Sequence, residues 1–319
     1  MKKVAVALFL ATLAITANAA TAATPVAKAI KVLPVKPFLI TTLSGGAGDQ
    51  IAAFTTTPIS IVIVGSVETT TASTGTTSGN SDGYIQAIDY LGATQWSLHL
   101  GGAGDEIATA IVKDKAGGFV VAGAASAAPT ASAPAPVDTG VVTNPDGVTL
   151  EPISTPKNSL TQLTIWRVSA TGQLLSTTAI DAGGVVNPTN LVATATGFTL
   201  SGKLYQGGSA SQFSTSISSS YQLVPVTSKP ITKEVAPAAI TTIKAGTMLY
   251  KSYLSHGAIK GIPSWKPKSD IPVVIGYNKL AVLKSANYLQ GKVIGLQWQS
   301  GKGLLILTER SDGFGLTLI

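Results

Sequence analysis

Three acids, two histidines and one lysine-flanked tryptophan are the residues of this chain whose types and spacing can do chemistry. The acids are Asp49, Asp105 and Glu106, and the histidines are His99 and His256. Two isolated histidines do not make a usual zinc site, the absence of cysteine excludes a thiol nucleophile, and no G-x-S-x-G accompanies either histidine. Acid–base work by paired carboxylates is the one catalytic route left. Against it, Asp49 and Asp105 hold the same place in two copies of one turn, and Glu106 is replaced by Gln50 in the other copy. A structural Asp explains that pattern, and weak calcium binding by the same turns is the next reading. His99, between Leu98 and Leu100, reads as a strand surface residue. The binding candidate is the stretch in which Lys260, Lys266 and Lys268 surround Trp265, with His256, Tyr250 and Tyr253 close in sequence. An aromatic platform flanked by cations suits a sugar ring or an anionic polymer. The competing reading has Trp265 packed on a sheet and the lysines solvated. No cofactor is implied.

The elements that must position these residues follow from the repeat. "GGAGDQIAAF" at residues 45–54 and "GGAGDEIATA" at 101–110 each lead into apolar–polar alternation, a tight turn and a β-rich run ending in glycine. These runs are "SIVIVGS" (60–66) and "GGFVVAGA" (117–124). Period-two alternation between turn signals predicts strands, and "SDGYIQAIDYLGATQWSLHL" (81–100) supplies two more before the second copy. Four antiparallel strands per repeat is the pattern of a β-propeller blade, which buries both faces only when neighbours stack on it.

The stretch Asp82-Gly83-Tyr84 through Asp89, Gly92 and Trp96, then Gly101-Gly102-Ala103-Gly104-Asp105 and Gly118 to Gly123, resembles the secreted bacterial β-propeller repeat family. The match covers residues 82–123 and is degenerate beyond about residue 203. It implies a secreted or surface-bound propeller and no particular reaction.

The fold class expected is all-β, a propeller of five four-stranded blades, with six or seven as the alternative count. Counting strands A to D from the axis outward, blade one is expected at 50–56, 59–66, 83–89 and 94–100, and blade two at 106–113, 118–123, 163–168 and 173–180. Blade three is expected at 190–195, 197–203, 219–226 and 230–236. Blade four is expected at 239–244, 247–254, 271–276 and 279–285. The last blade offers "VIGLQW", "LLILTE" and "GFGLTLI", and its missing outer strand is expected from "FLITTL" (38–43), which closes the ring and removes two sheet edges. The GGAGD turns are then the crossovers from a blade's rim to the next blade's centre. The long B–C connections, 67–81, 124–162, 204–218 and 255–270, are expected to crowd one face. Trp96, Trp166 and Trp298 are expected in the core between blades.

Residues 1–19 read as an export signal: Lys2 and Lys3, an apolar stretch, and the A-x-A site Ala17-Asn18-Ala19. Residues 20–37 read as a flexible Ala/Pro/Lys tether, residues 38–319 as the propeller, and 124–162 as a low-complexity, disordered insertion. No segment is long and apolar enough to be a spanning helix. The formal net charge is +7, with charged residues only 12% of the chain. Residues 38–199 carry four bases and eleven acids, whereas residues 200–319 carry thirteen bases and four acids. A basic half suits anionic envelope polymers or acidic surfaces, and export argues against nucleic acid. These features point to a secreted or envelope-associated, non-enzymatic binding protein whose partner is an anionic polymer, a glycan or an envelope protein. The alternatives are a carboxylate-based glycan hydrolase or lyase using acids around the axis, and a structural assembly partner.

Overall fold

The computed structural model describes residues 30–43, 49–68, 81–102, 104–127, 159–231, 241–311 and 313–319. The signal, the first part of the tether and nearly all of the 67–81 and 124–162 connections lie outside the described residues. The described residues open with β1 (Leu33–Pro34) and β2 (Leu39–Thr41). Blade one follows as β3 (Gln50–Thr56), β4 (Ser60–Glu68), β5 (Ser81–Asp89) and β6 (Thr94–Leu100). Blade two is β7 (Glu106–Lys113), β8 (Phe119–Ala125), β9 (Gln162–Val168) and β10 (Leu174–Asp181). Blade three is β11 (Val185–Ala193), β12 (Gly197–Gln206), β13 (Ser209–Ser218) and β14 (Thr227–Pro230). Blade four is β15 (Thr241–Ala245), β16 (Met248–Ser255), β17 (Ile271–Tyr277) and β18 (Leu283–Tyr288). Blade five is β19 (Lys292–Gln299), β20 (Gly303–Arg310) and β21 (Gly313–Leu318), completed by β2.

Five antiparallel blades stand in a ring, and its closure is the one expected from the two ends of the chain. Leu39 pairs with Leu316 and Thr41 with Phe314, so the N-terminal strand is the outer strand of the last blade. The stretch read as a tether departs from that reading at its end. Leu33 and Pro34 pair in parallel with Asn287 and Tyr288 and add a fifth strand to blade four. One N-terminal segment therefore ties blade four to blade five.

The glycine repeated in the B strands of blades one to three has a steric cause. The A strands β3, β7 and β11 are bulged, between Ile51 and Ala53, Ala108 and Ala110, and Pro188 and Asn190. The bulge pushes a backbone carbonyl across the neighbouring strand, where Gly65, Gly123 and Gly202 stand. A Cβ on Gly123 would run into the Ile107 carbonyl oxygen, and one on Gly65 into that of Gln50. Gly123→Ala should accordingly lower stability by roughly 2 kcal/mol or more, the cost of overpacking against backbone that cannot move away. Thermal unfolding of the variant checks this; an unchanged midpoint would remove the bulge argument.

The seams between blades are not alike. Apolar clusters join blade five to one through Phe54, Ile63, Leu305 and Phe314. Others join one to two through Val64, Ile85, Val121 and Trp166, two to three through Val120, Ile165, Leu200 and Phe213, and four to five through Val274, Leu296 and Ile306. Polar pins reinforce two of them. Gln297 Nε2 donates to Thr55 Oγ1 at 3.2 Å, and Tyr221 OH donates to Asp114 Oδ2 at 2.5 Å beneath the Arg167 guanidinium. Among the described residues no apolar cluster joins blade three to blade four. In blade one both faces of β4 and β5 are buried, but in β13 Phe213, Thr215 and Ile217 are buried toward blade two while Gln212, Ser214 and Ser216 are exposed. Blade three thus turns a hydroxyl-rich face toward blade four.

Two strand assignments in blade three are corrected. The stretch 204–218, read as a loop, is the end of β12, a two-residue turn at Gly207 and Gly208, both at positive φ, and the whole of β13. The C strand is therefore 209–218 and not 219–226, and the outer strand is 227–230. Trp298 is also misplaced by the sequence reading, being 41% exposed. It sits next to the last residue of β19, the innermost strand of blade five, while Leu296 fills the seam with blade four.

Candidate functional site

The loop 255–270 does not stand up from the ring's loop face. It folds down the face of blade four that is opposite blade five, and so toward blade three. Ile259 and Ile262 are buried there with Val273, Ile275 and Ala286, and Ile30 and Val32 of the N-terminal segment pack beside them. Trp265 joins this cluster. Its ring lies 5.5 Å from that of Tyr288, and its Nε1 donates to Ser255 Oγ at 3.0 Å. Its indole is half-buried against the blade. Tyr253 packs in the same cluster, while Tyr250 faces blade five. His256 is exposed and meets Asp270 at 2.6 Å through Nδ1, and Lys266 and Lys268 are exposed on the loop's return.

Lys260 has a different setting. The turn at Ile259–Ile262 carries Gly261 down to Leu283, near the opposite rim, with a Cβ position 3.4 Å from the Leu283 side chain. There Lys260 meets three lysines that sequence reading did not single out. Lys244 is the last residue but one of β15, Lys251 projects from β16 on the side away from Tyr250, and Lys279 sits in the β17–β18 turn. All four line a groove of about 760 Å³ whose floor includes Leu249 and Tyr277. No carboxylate lines it, and among the described residues none of the four lysines has an ion-pair partner. Strand alternation and two turns gather them, which no single stretch of sequence displays.

The acids gather elsewhere, at the crossover from blade one to blade two. Asp105 is wholly buried, and its Oδ1 accepts from the Ser81 amide at 3.2 Å. Its own amide donates to Ser126 Oγ at 2.9 Å, while the Ser126 amide donates to the Asp105 carbonyl at 2.8 Å. The crossover is thereby tied to residues that flank both neighbouring B–C connections. Asp49, the sister residue, is partly buried before β3. Glu106 opens β7 and is 8% exposed, whereas Gln50 is exposed. Burial pushes the Glu106 carboxyl up to about 7; amides of Gly102 and Gly104 oppose the rise, and the charges of Asp82 and Asp105 add to it. His99, with a side chain 60% exposed, meets Asp82 Oδ2 at 3.3 Å, and that hydrogen bond raises its pKa. Trp96 lies against Phe119 at 6.0 Å, and Trp166 is buried in the same seam. Among the described residues no group of three His, Asp or Glu side chains is placed to hold a metal ion, and no helix is long and apolar enough to cross a membrane.

No family model matches the chain, and no curated protein matches it. The resemblance of residues 82–123 to the secreted bacterial repeat family therefore extends to the propeller fold alone. Among solved structures the chain is similar to a protein of unknown function from Bacteroides caccae, at 11% identity and TM-score 0.32, covering 82% of this chain and 72% of that one. It is also similar to a structure described as a glycoside hydrolase, at 10% identity and TM-score 0.41, covering 90% of this chain and 91% of that one.

Proposed function

We propose that this chain is an exported, non-enzymatic propeller of the cell envelope that binds an anionic polymer along blade four. The observation that carries the reading is the groove in which Lys244, Lys251, Lys260 and Lys279 converge without a carboxylate. Like charges brought together on folding repel one another, and a polyanion lying across them relieves that repulsion. The groove lies beside the seam where blade three offers hydroxyls and an amide, groups that hydrogen-bond an acidic glycan as readily as they bond water. The basic start and A-x-A site support export. Among the lysines first singled out, Lys260 belongs to this surface, while Lys266 and Lys268 do not line it.

Dextran sulfate and uncharged dextran are the discriminating probes. Each exposed lysine–anion contact contributes about 0.5 kcal/mol, so changing all four groove lysines to Gln should weaken dextran sulfate binding by roughly tenfold to a hundredfold near 0.1 M salt. The parent affinity should fall as salt rises, because exposed charges are screened. Lys266→Gln with Lys268→Gln should change it far less. Equal losses from both sets, or none from the first, would move the interaction off this groove.

One observation favours the second reading, a carboxylate-based hydrolase: Glu106 is a carboxyl held in its acid form near neutrality, as a general acid requires. Turnover of a soluble glycan that Glu106→Gln abolishes without loss of folding is the result that would favour it.

A further inference from the structure

The crossover between blades one and two borders a second cavity, of about 440 Å³, with a chemistry opposite to that of the groove on blade four. Its walls include Gly102, Ser126, Gln162, Thr164, Trp166 and Thr177, and Glu106 lines it as well. No lysine or arginine does. Glu106 Oε2 is buried and has no hydrogen-bond partner, and the same is true of Asp82 Oδ1. A buried carboxyl oxygen without a partner carries a desolvation cost that a ligand can remove.

We propose that this cavity binds a small organic ammonium group, with Glu106 as its counter-ion and Trp166 as its aromatic wall. The charges facing the site select the sign of the ligand. Asp82 on β5 and Asp105 on the crossover both act on Glu106, and among the described residues the base near them is His99 on β6, which pairs with Asp82 and feels Asp49 beyond it. An anion entering here is repelled. A compact metal ion lacks a ligand set, since no three such side chains among the described residues converge on one point. An ammonium group offers three donors, which suits one free carboxyl oxygen beside the hydroxyls of Thr164 and Thr177, and an indole wall attracts a cation further.

This site is independent of the groove on blade four, and its test does not involve polyanions. The amine pairs with the ionised form of Glu106, whose carboxyl titrates at about 7 in the empty cavity. Affinity is therefore full above that pH and falls as the acid form takes over, by roughly tenfold or more at about pH 5.5. Protonation of His99 acts in the same direction, so His99→Gln should keep the greater part of the pH effect.

The experiment is calorimetric titration of the full chain at about pH 8 and about pH 5.5 with two matched pairs, n-butylamine against n-butanol and 6-amino-6-deoxyglucose against glucose. The expected result is that at least one amine binds tenfold or more tightly than its uncharged match at the higher pH. That preference should shrink at the lower pH and vanish in Glu106→Gln. The better amine identifies the carrier as an alkyl chain or a sugar. The proposal is overturned if neither amine is preferred, if the preference survives Glu106→Gln, or if it is independent of pH. Should Glu106→Gln fail to fold, the parent protein's pH profile and the charged-against-uncharged comparison decide by themselves.

Discussion

A chain that begins at Ser44, lacking β1 and β2, should melt at least 10 °C below the parent and associate in solution. Leu43, 3% exposed, and Leu39 leave the cluster that seals blade five to blade one, and each buried leucine contributes about 2 kcal/mol. The hydrogen bonds from Leu39, Ile40 and Thr41 to β21 go as well, and Gly313–Leu318 becomes a bare edge. Blade four loses the parallel cover of Leu33–Pro34 at the same time. A total of about 5 kcal/mol is comparable with the whole stability of many domains, and an unpaired strand edge is a template for another chain. Size-exclusion chromatography and a thermal melt read the two effects. A truncated chain that stays monomeric and melts with the parent would mean the ring does not depend on this closure. Leu43→Ala, which keeps the strand, isolates the packing share and should cost about 2 to 5 kcal/mol.

Replacing Glu106 by Gln should stabilise the protein at pH 8 and leave it unchanged at pH 4. The folded carboxyl holds its proton up to about pH 7, whereas its ordinary value is 4.5. Across that interval the folded state binds more protons than the unfolded one, so stability falls as pH rises. The contribution of Glu106 is fully present below about pH 4.5 and has been lost once the pH passes about 7, leaving a deficit of about 3 kcal/mol. A glutamine accepts from the Gly102 and Gly104 amides through its carbonyl oxygen and carries no charge to desolvate. Melts of both proteins across that range should diverge by several degrees at the alkaline end and converge at the acid end. Parallel curves would show that the carboxyl is not protonated by its surroundings.

The parts of the fold that sequence reading placed well are those where both faces of a strand are buried or where alternation is strict. "SIVIVGS" and "GFVVAG" carry unbroken runs of branched and aromatic residues at their centres because each lies between two neighbours. Closure was legible because "SDGFGLTLI" repeats the pattern of "SDGYIQAID" and therefore ends the chain on a C strand. Blade three misled for the opposite reason. "SASQFSTSIS" has one solvated face, so serine at every other position reads as loop, although Phe213 and Ile217 two strides apart and the Gly207-Gly208 pair before them are a hairpin signal. At the candidate sites, Lys260 was visible because it stands in a cluster along the chain. Lys244, Lys251 and Lys279 come from three separate elements, and only the pairing of β15, β16 and β17 puts them on one side. Glu106 reads in sequence as part of a structural turn, since its burial at the crossover between blades one and two is a tertiary fact.

The uneven seams give the ring a direction that its covalent order does not have. Among the described residues packing runs four, five, one, two, three, with apolar contact at each of those joins and a polar face between its ends. Such a body behaves as a one-dimensional stack, in which each unit is held by its neighbours and the terminal units have only one. Blade one, in the middle of the stack, should then show the slowest amide exchange, and blades three and four should open first, each able to leave without unsealing the rest. The lysine groove lies on one of those two terminal blades, on the face that looks into the gap. Its walls all belong to blade four, so the softest joint governs what stands over its open side and not its width, whereas the acid cavity borders a seam sealed by apolar side chains.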